Sequence, residues 1–94
     1  MRRFNCRHVS VLLTDERRQH IAAFHPDVTF CFRYFAETLK NPDSEVRSVH
    51  DASVLICYRY LTRHKKHLAI VLKTGVRPFI ITAYLAEKPK RDTI

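Results

Sequence analysis

The chain has 94 residues and a formal net charge of +8, with 46% hydrophobic and 11% aromatic residues. That apolar content is too high for a disordered chain, and the length predicts one domain with one core. Glycine occurs once, at Gly75, which excludes both a glycine-rich dinucleotide-binding turn and a P-loop. We therefore expect a single domain over residues 1–94, with a short basic lead-in over residues 1–8 and a frayed basic tail over residues 88–94.

Positive charge is the main indication of a partner. The sequence pI is about 9.9, and a domain this basic attracts anions and carries the usual electrostatic signature of nucleic-acid binding. Two plainer interpretations stay open: the charge only keeps the protein in solution, or it docks the protein on an acidic partner.

The cysteines indicate the compartment. Cys6, Cys31 and Cys57 are odd in number and far apart, which fits neither a disulfide framework nor a thiolate zinc site. We interpret them as reduced, buried side chains, typical of a reducing compartment. No apolar run approaches the ~18 residues that a membrane span needs, and Val9–Leu13 is too short for a signal peptide. The sequence predicts a cytoplasmic protein without a membrane segment.

The first part of the chain predicts helices. Val9–Leu13 is a short strand or an extended lead-in, and Thr14 or Asp15 then supplies a helix N-cap. The first helix is expected over Asp15–Phe24. A proline follows it and suits the first turn of a second helix, Pro26–Leu39, whose apolar residues recur at helical spacing.

The second part of the chain predicts strands. Lys40-Asn41-Pro42-Asp43 is a stop-and-turn signal, after which the hydrophobic period changes to two. Four strands are expected: Glu45–His50, Ala52–Leu61, Leu68–Thr74 and Pro78–Leu85. The connections Thr62–His67 and Gly75–Arg77 are short and favour antiparallel hairpins. The predicted fold is α+β, with two N-terminal helices packed on one face of a four-stranded antiparallel sheet.

Alternation along the strands predicts a polar group on the sheet. When the wholly apolar set of each strand faces the helices, Arg59, Lys73, Thr82 and Tyr84 project together from the opposite face. Lys and Arg can stabilise charge that develops on a phosphodiester, while Thr and Tyr can orient the phosphate by hydrogen bonds. The same residue types are also common on half-solvated strands that have no such role.

Histidine is abundant, with six residues, and it exchanges protons near neutral pH, as RNA cleavage requires. His20 and His25 are the proton-transfer candidates, although His25 could equally serve as a cap and hinge between the two helices. No metal site and no cofactor are predicted. The residues predicted to contact nucleic acid lie in the second hairpin loop and the tail: Arg63, His64, Lys65, Lys66, His67, Lys88, Lys90 and Arg91.

Four short motifs resemble a known family. They are His20-Ile21, His25-Pro26-Asp27, Asn41-Pro42-Asp43 and Ile80-Ile81-Thr82-Ala83-Tyr84-Leu85. Their order and spacing, over roughly residues 14 to 90, are similar to the phage- and toxin-type nucleases of the barnase–EndoU–colicin–RelE superfamily. The chain departs from that pattern after the last motif. Relatives continue there with a glycine and often a tryptophan, whereas this chain has Lys88-Pro89-Lys90-Arg91-Asp92. The resemblance therefore does not extend to the C-terminal wall of a substrate groove or to the base preference that this wall would set.

The resemblance implies a metal-independent endoribonuclease. The ribose 2′-OH would attack the adjacent phosphate and leave a cyclic 2′,3′-phosphate and a 5′-OH. Proton transfer would fall to His20 or His25 and substrate positioning to Thr82 and Tyr84, with RNA as substrate and an inhibitor protein (an antitoxin) as a further partner. Charge stabilisation by Arg59 and Lys73 comes from the strand pattern alone.

Two other classes of function stay open. One is a non-catalytic nucleic-acid-binding module that uses the same basic surface, and the other is a protein-interaction domain that docks an acidic partner. Catalysis requires His20 or His25 to lie near the face that carries Arg59 and Lys73. A single-strand binder requires exposed aromatic rings, of which only Tyr84 is placed by the predicted strands.

Overall fold

A six-stranded sheet and a run of helical segments make up residues 1–7 and 9–89, which are the residues that this computed structural model describes. The strands are β1 (Arg2–Asn5), β2 (Ser10–Leu13), β3 (Ser44–Arg47), β4 (Val54–Leu61), β5 (Lys66–Lys73) and β6 (Phe79–Ala86). Between β2 and β3 lie helix α1 (Asp15–Phe24), a 3₁₀ helix (Pro26–Tyr34) and helix α2 (Phe35–Lys40).

The sheet corrects the predicted fold. Its strand order is β1-β2-β6-β5-β4-β3, and β2 runs parallel to β6 while the other neighbours are antiparallel. A four-stranded antiparallel sheet behind two N-terminal helices is therefore wrong, because two strands precede the helices. Phe4 is the only apolar residue within Arg2–Asn5, so no alternation marks β1. Strand β1 forms because a tight turn reverses the chain direction and lets β1 pair with β2. The turn is closed by Cys6 N, which donates to Val9 O at 2.8 Å.

Helix α1 confirms its prediction. Thr14 is the N-cap, and its hydroxyl oxygen accepts a hydrogen bond of 3.1 Å from Arg17 N, which satisfies a free amide of the first turn. The helix ends at Phe24, and the amide of His25 donates to Ile21 O at 2.7 Å directly before the proline. No helix in the described part of the chain is long and apolar enough to cross a bilayer.

The second predicted helix is divided. Residues Pro26–Tyr34 form a 3₁₀ helix, and only Phe35–Lys40 are α-helical. The first stretch is rich in β-branched and aromatic residues, which lose side-chain freedom in an α-helix. The hydroxyl of Thr29 also donates to Pro26 O at 2.6 Å. The apolar stripe survives the change, because Val28, Cys31, Phe35 and Leu39 are all buried.

The core lies between the helices and one face of the sheet, here called the helix face. That face contributes the buried residues Cys57, Leu61, Leu68, Ile70, Leu72, Ile80 and Ala83. The β1–β2 hairpin covers the same face, since Phe4, Val11 and Leu13 belong to this core. Its tip reaches across this face to the opposite edge of the sheet, where Arg7 lies 3.7 Å from Glu45 of β3. The sheet therefore curls around its own core.

The register fixes which residues share the other face, here called the far face. Residues directly opposite one another in neighbouring strands project to the same side. Across β4, β5 and β6 the far face carries four rows: Val54, Lys73 and Phe79; Ile56, Val71 and Thr82; Tyr58, Ala69 and Tyr84; and Tyr60, His67 and Ala86.

Candidate functional site

Arg59 lies on the wrong face for the predicted site. It pairs with Leu68 and projects to the helix face, whereas Lys73, Thr82 and Tyr84 belong to the far face. The prediction that these four residues project together is therefore wrong. On β4 the far face carries Tyr58 and Tyr60 instead, and Tyr58 is buried there.

The Arg59 guanidinium is held by α2 and the turn that follows it. Its Nη1 donates to Asn41 O at 2.6 Å, and carboxylate oxygens of Glu37 and Asp43 lie 3.8 and 3.9 Å from its terminal nitrogens. These contacts tie the end of α2 to β4 beside a cavity of about 300 Å³. The arrangement indicates a structural role, because two carboxylates already balance the charge.

Lys73 is also engaged. Its Nζ donates to Asp51 Oδ2 at 2.7 Å, and this hydrogen bond, with a further bond from Ser53, holds the pKa of Asp51 well below its usual range. Lys73 is four residues from Ala69, the β5 residue opposite Tyr84, which is about 13 Å along the strand. Neither predicted cation therefore faces Tyr84.

His25, in contrast, reaches the predicted tyrosine. Strand β2 pairs with β6 at Leu12 and Phe79 only, and α1 packs beside the following part of β6, where Arg17 Nη1 donates to Ile81 O at 3.3 Å. His25 is the C-cap of α1 and the N-cap of the 3₁₀ helix, so the predicted capping position is confirmed. Its ring also lies 6.1 Å from the Tyr84 ring, measured between centroids.

Tyr84 is a hydrogen-bond donor in this setting. Burial first, and then its hydrogen bond with Tyr58, raise the pKa of the Tyr84 phenol above its ordinary value. Because this hydrogen bond raises the pKa, the protonated Tyr84 phenol is its donor and Tyr58 its acceptor, and an anion that binds Tyr84 would replace Tyr58 as the acceptor. Thr82 projects from the same face two residues away, and among the described residues its buried hydroxyl finds no partner.

The raised pKa of Tyr84 makes stability depend on alkaline pH. The protonated phenol is favoured in the native state, so its contribution is complete below the ordinary value near 10 and is lost as pH rises through the native pKa. We expect the unfolding free energy of wild type to fall more steeply between pH 9 and pH 11 than that of Tyr84→Phe. Urea titrations at several pH values measure both slopes, and equal slopes would contradict the assignment.

A second imidazole lies beside Tyr84. His67 is opposite Ala86, which makes Tyr84 its diagonal neighbour at about 7 Å between Cβ atoms. Its Nδ1 is 3.2 Å from Glu87 O. A carbonyl can only accept, so this contact requires a proton on Nδ1, and in the neutral ring Nε2 then carries the lone pair. His25 and His67 thus flank one phenol.

His20 is not brought into this group. Its ring lies 4.7 Å from Phe24 on the same helix, and among the described residues it has no ring contact with the sheet. Of the predicted catalytic residues, the structure brings together His25, Thr82 and Tyr84. It leaves His20, Arg59 and Lys73 elsewhere.

The β4–β5 turn carries two unengaged cations. The amides of His64 and Lys65 both donate to Leu61 O, and Lys65 has a φ of 53°. Arg63 and Lys65 are exposed and form no ion pair with a described residue. His64 packs on Tyr34 and Cys31, and Lys66 lies 3.8 Å from Glu87. Lys88 is exposed, while Lys90 and Arg91 lie outside the described residues.

The turn lies at the same end of the sheet as His25 and Tyr84. The row of Tyr60, His67 and Ala86 separates them, and Lys65 is about 13 Å along β5 from the Tyr84 row. Tyr60 is 43% exposed and its ring contacts His67 at 5.1 Å. A partly exposed ring of this kind can stack on a nucleic-acid base.

Sequence reasoning missed Tyr60, and it predicted His67 as a nucleic-acid contact in the loop but not as a neighbour of Tyr84. The predicted strand began at Leu68, which left His67 in a loop. Extending the alternation of Lys73, Val71 and Ala69 by one step would have put His67 on the far face. No group of His, Cys, Asp and Glu side chains in residues 1–7 and 9–89 is arranged to hold a metal ion.

Comparison of the chain with protein-family models, with curated proteins and with solved structures found no match. The function must therefore be argued from the chemistry of the site, since a fold by itself does not determine an activity.

Proposed function

We propose that the chain is a metal-independent endoribonuclease whose centre is formed by His25, Tyr84 and His67. The observation that carries this proposal is the pair of imidazoles flanking a protonated phenol on the far face. Cleavage of RNA without metal needs one group that accepts a proton and another that donates one, and histidine does both near neutral pH.

In the proposed reaction, Nε2 of His67 accepts the proton of the ribose 2′-OH, and the 2′ oxygen attacks phosphorus. The bond from phosphorus to the 5′ oxygen breaks, and protonated His25 donates a proton to that oxygen. The products are a cyclic 2′,3′-phosphate and a 5′-OH. Tyr84 exchanges its hydrogen bond to Tyr58 for one to a non-bridging phosphate oxygen as charge develops there.

The surroundings of the centre suit single-stranded RNA. Arg63 and Lys65 present free positive charge at the same end of the sheet, and Tyr60 offers a ring for stacking. The motifs that resemble the barnase–EndoU–colicin–RelE superfamily include His25 and Tyr84, so a relation to those nucleases is part of the proposal. A toxin-type ribonuclease in the cytoplasm would also need an inhibitor protein to spare the cell's own RNA.

A second candidate function is RNA binding without cleavage. It is favoured by the ion pairs of Arg59 and Lys73, which leave the predicted charge-stabilising cations bound to carboxylates. The bound phosphate would then meet a phenol and two imidazoles without the Arg59 and Lys73 cations that were predicted to stabilise its charge.

A cleavage assay separates the two functions. End-labelled total RNA is incubated with the protein in excess EDTA, and the fragments are analysed for their termini. Fragments that end in a cyclic phosphate support the ribonuclease. Intact RNA that shifts on a low-salt gel supports the binding module, and intact RNA without a shift leaves an acidic protein partner as the better interpretation.

Both RNA functions predict that the β4–β5 turn contributes to affinity through phosphate contacts. The variant Arg63→Gln, Lys65→Asn removes two cations, with asparagine chosen because it tolerates the positive φ of residue 65. We expect the slope of log K against log salt concentration to become shallower by about 1.4, two single-strand phosphate contacts at about 0.7 each.

The matched control is Arg77→Gln. It removes one exposed cation from the β5–β6 turn, about 23 Å away along the length of β5. It should leave the slope near that of wild type. Equal changes in the two variants would show that the RNA does not bind at the β4–β5 turn.

A further inference from the structure

Two cysteines that are distant in sequence meet across the helix face. Cys6 lies in the turn between β1 and β2, and Cys57 lies in the middle of β4. Arg7 reaches Glu45 at 3.7 Å, and Glu45 is directly opposite Cys57 in the β3–β4 pairing. The tip of the hairpin is therefore held over the strand that carries Cys57.

Cys6 lines one cavity on the helix face with Glu45, the residue directly opposite Cys57, so the two thiols lie on the same part of this face. Burial, followed by Cys6 and Glu45, raises the pKa of the Cys57 thiol to about 12. Cys57 is fully buried, whereas Cys6 is partly exposed and lines a cavity of about 420 Å³ together with Leu55 and Leu72. A small reagent can therefore approach Cys6 from solvent but not Cys57.

The third cysteine is separate from this pair. Cys31 is buried on the 3₁₀ helix, where its sulfur lies 3.8 Å from Asp27 O and 3.9 Å from His64 Nε2. Its surroundings give it neither solvent access nor a neighbouring thiol among its contacts.

We propose that Cys6 and Cys57 form a disulfide that locks the β1–β2 hairpin onto β4 when the protein meets a small-molecule disulfide. The Cys6 thiolate attacks the reagent, whose sulfur–sulfur bond breaks and releases one thiol. Cys57 then loses its proton and attacks the Cys6 sulfur, which releases the second thiol. The protein loses two electrons and two protons, and the reagent is reduced to two thiols.

The disulfide would stabilise a segment that is weakly attached to the rest of the fold. The hairpin joins the rest of the sheet through one residue pair, Leu12 with Phe79, and through side-chain packing. A bond from residue 6 to residue 57 closes a long loop and restricts the unfolded chain. The second step needs the buried thiol to ionise, so we expect it to be the slower one. This proposal is independent of any action on RNA.

The native protein treated with oxidised glutathione tests the proposal. After the free thiols are alkylated, tryptic digestion should yield residues 4–7 linked to residues 48–59, while the peptide of residues 19–33 carries an alkylated Cys31. The melting temperature should rise by about 5 °C or more over that of the reduced protein. Reduction should reverse both changes.

Two variants sharpen this test. Cys6→Ser should abolish both the linked peptide and the rise in melting temperature, and Cys31→Ala should retain both. A reaction that stops at glutathione on Cys6, a link that includes Cys31, or a disulfide-linked dimer would overturn the proposal. The three cysteines lie on three different tryptic peptides, so the wild-type map decides even when a variant fails to fold.

Discussion

His25→Ala is expected to lower the rate of RNA cleavage in EDTA by about 100-fold or more, because a positioned proton-transfer group contributes a factor of that order. The ring of His25 lies 6.1 Å from that of Tyr84, at the end of α1. Alanine removes the imidazole but keeps the backbone amide that donates to Ile21 O. The rate is measured with end-labelled RNA at saturating concentration, so that weaker binding does not enter the comparison.

His20→Ala is the control for this variant. It removes an imidazole from the same helix, where the ring contacts Phe24 and not the sheet, and it should change the rate by less than about twofold. His25→Ala should also remove one limb of a bell-shaped dependence of rate on pH, which a merely structural role would leave in place. Full activity of a folded His25→Ala protein would exclude the proposed centre.

The local features of the chain were the predictable ones. Thr14, the acidic first turn and the proline at residue 26 act within a few residues of one another, and α1 begins and ends where they indicate. The period-two pattern also located β4, β5 and β6 to within a few residues. Each of these signals reports a short-range preference that tertiary packing did not oppose.

The faces of β4 were less predictable because tyrosine suits either side of a sheet. Leu55, Cys57 and Leu61 form one set, interrupted by Arg59, and Tyr58 and Tyr60 belong to the other. Only the contacts of Arg59 with α2 and the following turn make its place on the helix face acceptable. Those contacts join residues far apart in sequence, and alternation carries no information about them.

The N-terminal hairpin depended on still longer contacts. Residues Arg2–Asn5 show no strand pattern, and their place is set by Phe4 in the core and by the ion pair from Arg7 to Glu45. The candidate site likewise depends on contacts between residues that are far apart in the sequence. His25 and Tyr84 were predicted from short motifs, whereas His67 joined them only through the register of β5 with β6.

Phe35→Ala is expected to lower the free energy of unfolding by about 3–5 kcal/mol, the usual cost of truncating a buried aromatic side chain. Phe35 begins α2 and is fully buried, with its ring 6.0 Å from Phe4 and 4.9 Å from Phe32. It therefore joins the helical layer to the β1–β2 hairpin. A domain of this size has a total stability of about 5–14 kcal/mol, so the variant should lose a substantial fraction of it.

Phe30→Ala is the matched control, because that ring lies on the neighbouring 3₁₀ helix and is 75% exposed. It should change the unfolding free energy by less than about 0.5 kcal/mol. Urea titrations followed by circular dichroism measure both variants against wild type. A cost near 1 kcal/mol for Phe35→Ala would mean that the hairpin and helices are not packed around this ring, and the curled sheet would then lack the contact that closes it over the core.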